Sequence, residues 1–266
     1  GRWSFGQEGA IRQVHNPATG KSLGQVRFLS PEQTQEKINA AQPWGVASRE
    51  RATILRRTAD LFEDHAEEFF ALLTQEAGKT LPDCIGELRE TVDFLRYYAC
   101  QSEVLSDAEA GVFTCISPWN FPLAIFTGQI AAALAAGNAV LAKPAESTSM
   151  IAYFATELMH KAGVPAAALH LLAGDGPKLG ACLCSSDKVT GVCFTGSTKT
   201  AQTINRLMAR HLPPHIPLIA ETGGLNAMIV DSTALLEQAV RDVTISAFQS
   251  AGQRCSALRM LYVQQD

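Results

Sequence analysis

The sequence predicts an α/β fold built on a mostly parallel sheet with helices on both faces. Two observations predict it. Six short apolar runs lie along the chain: Val112 to Ser117, Ala139 to Lys143, Leu169 to Ala173, Val189 to Phe194, Leu218 to Ala220, and Ala227 to Val230. Helical segments separate them. Continuous apolar runs mark strands buried on both faces, and alternation with helices implies crossover units joining parallel strands. Ligands of such sheets bind beyond the carboxyl ends of the strands, so the turns after each run are the places to look for chemistry. At roughly 150 residues per domain, the 266 residues correspond to about two domains.

Ahead of the runs come helices. Ser30-Pro31-Glu32-Gln33 is a helix start, with Ser30 as N-cap, Pro31 in the first helical position and Gln33 closing a capping box. The helix should reach about Ala41. Between Arg49 and Ala77, Ile54, Leu55, Leu61, Phe62, Phe69, Leu72 and Leu73 recur at helical spacing as far as Gly78, predicting one amphipathic helix. A second follows Pro82 through Leu88, Val92, Leu95 and Ala99. The apolar stretch from Phe121 to Ala142 is interrupted by Gln129, Asn138 and glycines, and reads as a buried helix running into a buried strand, not a membrane span. A domain change is expected at Thr222-Gly223-Gly224.

Composition excludes several classes. With 47% apolar and 18% charged residues the chain is not disordered, and a net charge of -4 offers no general attraction to nucleic acid or anionic lipid. The start, Gly1 to Ala10, has neither an initiating Met nor a signal-peptide pattern, so the chain is expected to be a piece of a longer protein. Seven cysteines, an odd and scattered set, suit a reducing compartment, and a cytoplasmic location is expected. Cys84, Cys100, Cys115 and Cys193 sit in apolar contexts typical of buried thiols. Cys182-x-Cys184 is too tight for the usual zinc pair, and no metal site is expected.

Five turns carry candidate chemistry. Ser117-Pro118-Trp119-Asn120-Phe121-Pro122 follows a strand, and its prolines would preorganise the Asn120 amide as a donor to an oxyanion, although ordinary turn capping accounts for it equally. In Lys143-Pro144-Ala145-Glu146, Lys143 could bind ribose hydroxyls while Glu146 accepts from a 2′-OH and repels a 2′-phosphate. A solvated ion pair is the alternative. Gly174, Gly176 and Gly180 miss the usual dinucleotide spacing by one residue. In Phe194-Thr195-Gly196-Ser197-Thr198, a Gly-Ser pair before a helix could offer N–H groups and a hydroxyl to a pyrophosphate, or simply cap the helix. Finally, Cys255 has Arg254 beside it and could become a nucleophilic thiolate, while Glu221 closes a strand and is either a base or a capping carboxylate.

Taken in order, SPWNFP, KPAE, FTGST, ETGG and GQRCS resemble the aldehyde dehydrogenase superfamily. The longer stretches SPWNFPLAIFTGQIAAALAAGNAVLAKPAE, IPLIAETGGLNAMIVD and SAGQRCSALR are similar to the glutamate-semialdehyde (pyrroline-5-carboxylate) dehydrogenase module of bifunctional bacterial proline-catabolic enzymes. The resemblance implies a Rossmann-type NAD-binding domain over residues 1–221, with a shortened oligomerisation hairpin near 101–112. The start of a second α/β, catalytic domain over 222–266 would follow, cut short.

It implies Cys255 as nucleophile, Asn120 and the Cys255 N–H as oxyanion donors, and Glu221 as the base that activates water, a role suited to a carboxylate with a raised pKa. NAD contacts fall on Ser117, Lys143, Glu146, Gly176, Gly180, Thr195, Gly196 and Ser197, and substrate contacts on Phe121 and Ser256, with Glu90 near the aldehyde entrance. An upstream proline dehydrogenase module with FAD, a parent peripheral at the inner face of the membrane, and a homo-oligomer are further implications. The 266 residues alone are expected to be inactive. A CoA-acylating dehydrogenase and a non-catalytic protein of the same fold are the competing readings.

Overall fold

A computed structural model describes residues 3–104 and 109–265. The chain begins with three strands, β1 (Trp3–Phe5), β2 (Ala10–His15) and β3 (Ser22–Phe28), in a sheet of order β1-β3-β2. The apolar pattern gives no sign of them, because β2 is exposed at every position except Val14. Helix α1 (Pro31–Ala40) starts as the sequence predicts: Ser30 Oγ accepts from the Gln33 N–H, and the Gln33 side chain accepts from the Ser30 N–H.

The single helix expected from Arg49 to Ala77 is two, α2 (Ser48–Asp64) and α3 (Ala66–Gln75). His65 between them has φ -106° and ψ 29°, outside the helical basin. The break turns α3 so that Phe69 meets Phe62 at 4.8 Å and Phe154 at 4.9 Å between ring centroids. Tertiary packing of these rings overrides a periodicity that runs unbroken through His65. Helix α4 (Leu81–Val104) follows. The hairpin expected near 101–112 falls partly on residues 105–108, outside the described residues.

The central sheet then forms from β4 (Val112–Ile116), β5 (Ala139–Lys143), β6 (Leu169–Leu171), β7 (Gly191–Gly196) and β8 (Leu218–Thr222). Its order is β6-β5-β4-β7-β8, with every neighbouring pair parallel. The crossovers are α5 (Ala124–Ala135), α6 (Ser149–Ala162) with a short 3₁₀ turn before it, α7 (Gly176–Leu183) and α8 (Thr198–His211). From β4 the chain builds outward through β5 and β6, then returns to β4's other side for β7 and β8. The crevice of a doubly wound sheet opens at that reversal, beyond the carboxyl ends of β4 and β7.

Apolar side chains cover both faces. Phe62, Phe69, Leu95, Phe126 and Ile130 belong to the core packed by α2 to α6. Ile38, Leu179, Leu183, Ile204 and Met208 belong to the one under α1, α7 and α8. The stretch from Phe121 is the buried helix α5 running into the buried strand β5. No helix among the described residues is long and apolar enough to cross a membrane. After β8 the chain enters a separate two-stranded parallel sheet, β9 (Asn226–Val230) with β10 (Leu258–Val263), joined by α9 (Leu236–Phe248).

Helices α5 and α6 have no side-chain cap at their own N-cap residues. Glu87 of α4 serves α5, accepting from Leu123 N–H at 2.8 Å and Ala124 N–H at 3.2 Å. Glu76, at the end of α3, serves α6 through Met150 N–H at 2.8 Å and Ile151 N–H at 2.9 Å. Burial pushes the Glu76 carboxyl up to about 7 against the pull of these two bonds. Its folded pKa thus lies above the unfolded value, so the folded state holds this proton more tightly. The resulting stability is complete below the unfolded pKa and is lost as pH rises through the folded one. Relative to Glu76→Gln, the wild-type protein should therefore lose thermal stability between about pH 5 and about pH 8. A melting-temperature difference that is the same at both pH values would contradict this.

Candidate active site

Four strand ends deliver the candidate residues. Ser117 follows β4, Lys143 ends β5, Thr195 and Gly196 end β7, and Glu221 lies in β8, in register with Thr195. Beyond β4 and β7 opens a cleft of about 600 Å³ lined by Ser117, Asn120, Thr195, Gly196, Ser197 and Cys255, among others. Residues 138 positions apart in sequence, Ser117 and Cys255, thus share one wall-to-wall space. Thr222 and Gly223 also line it. Glu221, one residue back, is exposed.

The nucleophile loop has an unusual backbone. After α9 ends at Phe248, Ser250 (φ 53°), Ala251 (φ 55°) and Gly252 (φ 67°) are all left-handed. For the two residues that carry a Cβ this costs roughly 1–2 kcal/mol each. Gly252 is obligatory, because a Cβ there would lie 2.7 Å from the Ala247 carbonyl oxygen. Side chains around the loop hold it. Asn120 Nδ2 donates to Gln253 O at 2.7 Å, Arg259 Nη2 to Gly252 O at 2.7 Å, and Asn226 Nδ2 to Cys255 O at 2.7 Å and Ala257 O at 2.9 Å. An amide NH₂ has two donors, so the Asn120 bond to Gln253 leaves its second hydrogen for a ligand.

Arg254 has a different task from the one its position beside Cys255 suggests. Its Nη2 donates to the carbonyls of Ile245 and Ser246, both at 2.9 Å, tying up the end of α9. Cys255 itself is exposed. Cys84 and Cys115 are buried as expected, whereas Cys100 is exposed and accepts from Arg56 Nη2 at 3.8 Å. Among the described residues no group of three or more His, Cys, Asp or Glu side chains is placed to hold a metal.

A second groove, of about 740 Å³, runs beside the cleft between α7 and α8, and Lys143, Gly176, Gly180 and Thr200 line it. Burial pushes the Lys143 ammonium below its ordinary range, opposed by the charges of Glu146 and Asp175. Its Nζ donates to Pro144 O at 3.1 Å. Glu146 accepts from the N–H of Gly176 at the start of α7, so this carboxylate is docked on a helix terminus. Ser197 caps α8 by accepting from Thr200 N–H at 3.1 Å, and Asp175 caps α7 through Lys178 N–H at 3.0 Å. The Ser117 hydroxyl is buried with no partner among the described residues. An orphaned hydroxyl, a buried cation and an open Gly180 are the fittings a dinucleotide needs: donors for phosphate and ribose, and room for backbone approach.

Five predicted residues line neither space: Glu146, Glu221, Phe121, Ser256 and Glu90. Phe121 is half-buried with the Lys79 ammonium 4.6 Å from its ring centroid. Ser256 is exposed. Glu90 lines a shallow depression on α4 with Arg89, Asp93 and Tyr97, its carboxyl raised by burial and by the Glu87 charge. Sequence reasoning missed Asn226, Arg259 and Lys79. Their partners lie far along the chain or on backbone carbonyls, which leave no motif.

Residues 3–266 match the profile of the aldehyde dehydrogenase family. The chain is 52% identical over 272 residues to the bifunctional protein PutA of Klebsiella aerogenes, covering 97% of this chain and 21% of that protein. It is 35% identical over 283 residues to the 1-pyrroline-5-carboxylate dehydrogenase of Geobacillus thermodenitrificans, covering 97% of this chain and 55% of that one. A crystal structure of a Bradyrhizobium japonicum proline utilization A variant superposes with a TM-score of 0.86 at 49% identity, over 90% of this chain and 27% of that one. The chain therefore spans about a fifth of the PutA relative's length. With its parallel sheet, its cleft at the strand reversal and this likeness along nearly all of its length, the chain belongs to the aldehyde dehydrogenase family.

Proposed function

We propose that the protein carrying this chain oxidises L-glutamate γ-semialdehyde to L-glutamate with NAD, with the chemistry centred on Cys255. The observation that carries the reading is the shared cleft, in which Asn120 and Cys255 stand with Ser117, Thr195, Gly196 and Ser197. The names of two relatives, a PutA and a 1-pyrroline-5-carboxylate dehydrogenase, support this substrate class.

In this reading the Cys255 thiolate adds to the aldehyde carbon, and the carbonyl electron pair moves to oxygen. Asn120 Nδ2 and the Cys255 N–H receive that oxyanion. What a bound NAD supplies is acceptance of the hydride from that carbon, which leaves a thioester on Cys255. Glu221 takes a proton from water; the water oxygen adds to the thioester carbon, the acid leaves, and the thiolate is restored. Lys143, Glu146, Gly176 and Gly180 would hold the cofactor's adenosine side, with Ser117, Thr195, Gly196 and Ser197 toward the reacting end. Phe121 and Ser256 would contact the substrate. Glu146 would exclude a 2′-phosphate and favour NAD over NADP.

The same reading assigns residues 1–221 to cofactor binding and 222–266 to the start of the catalytic domain. The change of sheet between β8 and β9 supports that division. It also joins the chain to a proline dehydrogenase module with FAD, in a cytoplasmic, homo-oligomeric parent.

In the full-length protein, Cys255→Ala should abolish NAD reduction, and Asn120→Ala should lower kcat about 10²–10³-fold. A panel of aldehydes tests the substrate: turnover of simple aliphatic aldehydes equal to that of the semialdehyde would refute the assignment. Asn226 orients the Cys255 peptide through its carbonyl. Asn226→Ala leaves two carbonyls without this donor, a loss of about 1 kcal/mol each. It should speed amide exchange across residues 253–258 and lower kcat, and unchanged exchange would show that the loop is held by other means.

A further inference from the structure

Taking a lysine and a glutamate out of water together is expensive, and the attraction between them repays the cost only when further partners satisfy both. Lys79 and Glu87 form such a pair. Nζ and Oε2 are 2.6 Å apart, with the side chains only 6% and 1% exposed. The other glutamate oxygen, Oε1, holds the N–H groups of Leu123 and Ala124. The ammonium also lies 4.6 Å from the centroid of Phe121, within cation–π range. Gly78, with φ +67°, turns the chain so that the Lys79 N–H donates to Leu73 O at 3.1 Å. The pair thereby grips the turn on the carboxyl side of Asn120 at two points: the ring at Phe121 and the helix start at Leu123 and Ala124. On the other side, Lys79 lines with Asn120, Trp119 and Gln253 a cleft of about 320 Å³ beside the nucleophile loop.

We propose that Lys79 and Glu87 are positioning residues for the reaction, fixing the Asn120–Phe121 turn so that the Asn120 amide meets the oxyanion formed on Cys255. This inference rests on the functional reading above. Neither residue touches the reacting atoms. Their effect passes through Asn120, and a displacement of about 1 Å at such a donor costs on the order of 10²-fold in rate.

A double-mutant cycle in the full-length protein separates this role from simple support of the fold. Lys79→Met is measured alone and in an Asn120→Ala background, with semialdehyde and NAD, and separately with a nitrophenyl ester. Ester hydrolysis needs the Cys255 thiolate and an oxyanion donor but neither cofactor nor semialdehyde. The expected result is a fall in kcat of about 10- to 100-fold with KM changed less than about 2-fold, and a further loss below about 2-fold once Asn120 is absent. Equal losses in both backgrounds, or an unchanged kcat in Lys79→Met, overturn the proposal. Should Lys79→Met fail to fold, Glu87→Asp keeps the charge, shortens its reach by one methylene and carries the same cycle. A protein that hydrolyses the ester but does not oxidise the semialdehyde refutes the functional reading, and the cycle is then decided on the ester alone. A protein that does neither refutes both.

Discussion

Carboxylates set on the starts of helices that belong to other parts of the chain hold the site end of this molecule together. Glu87 caps α5, Glu76 caps α6 and Glu146 reaches the first N–H of α7. The first turn of a helix has up to four N–H groups without intrahelical partners and carries a partial positive charge. At the carboxyl edge of a doubly wound sheet these helix starts converge on the ligand crevice. An uncapped start there would leave buried donors unpaired, at about 1–3 kcal/mol each. Glu87 and Glu76 remove that cost for α5 and α6, Glu146 meets the more exposed start of α7, and each fixes where its helix begins. The loops before the helices are the ones that carry Asn120 and Lys143, so their geometry depends on these caps.

The caps differ in how they carry their charge. Glu87 shares its own with Lys79, while Glu76 accepts from the backbone N–H groups of Met150 and Ile151 and is driven up to about 7 by burial. Glu146 is exposed and keeps contact with water. Burial raises the carboxyls of both Glu76 and Glu87, and for Glu87 the Lys79 cation opposes that rise. A buried carboxylate with an ammonium at 2.6 Å is an ion pair, and one with two amides is a group poised near neutrality.

What could be read from sequence divides along the same line. The capping box at Ser30 and Gln33 involves neighbours three residues apart and was fully legible. So were the central strands, because each falls on a short apolar run between helical segments. The break at His65 was not, since the ring packing of Phe62, Phe69 and Phe154 that rewards it is tertiary. Strands β1 to β3 were invisible because exposed strands need no apolar rhythm. At the site, Cys255, Asn120 and Glu221 were picked out by the order of five motifs, and none of the turns alone would have sufficed. Glu87 and Glu76 act 36 and 74 residues away in the chain. No local pattern encodes such a partner, and each glutamate reads as one more polar position on a helix.

The left-handed stretch from Ser250 to Gly252 reverses the screw sense of the chain between α9 and Cys255. The direction in which the nucleophile leaves the helix is consequently written in backbone chirality, with side chains only bracing it from outside. Exchanging one small residue for another at 250 or 251 alters surface chemistry but leaves that direction intact. Position 252 is different in kind: it is defined by the missing Cβ, since any side chain would strike Ala247 O. The least decorated residue of the loop is therefore the one with the fewest permitted substitutes.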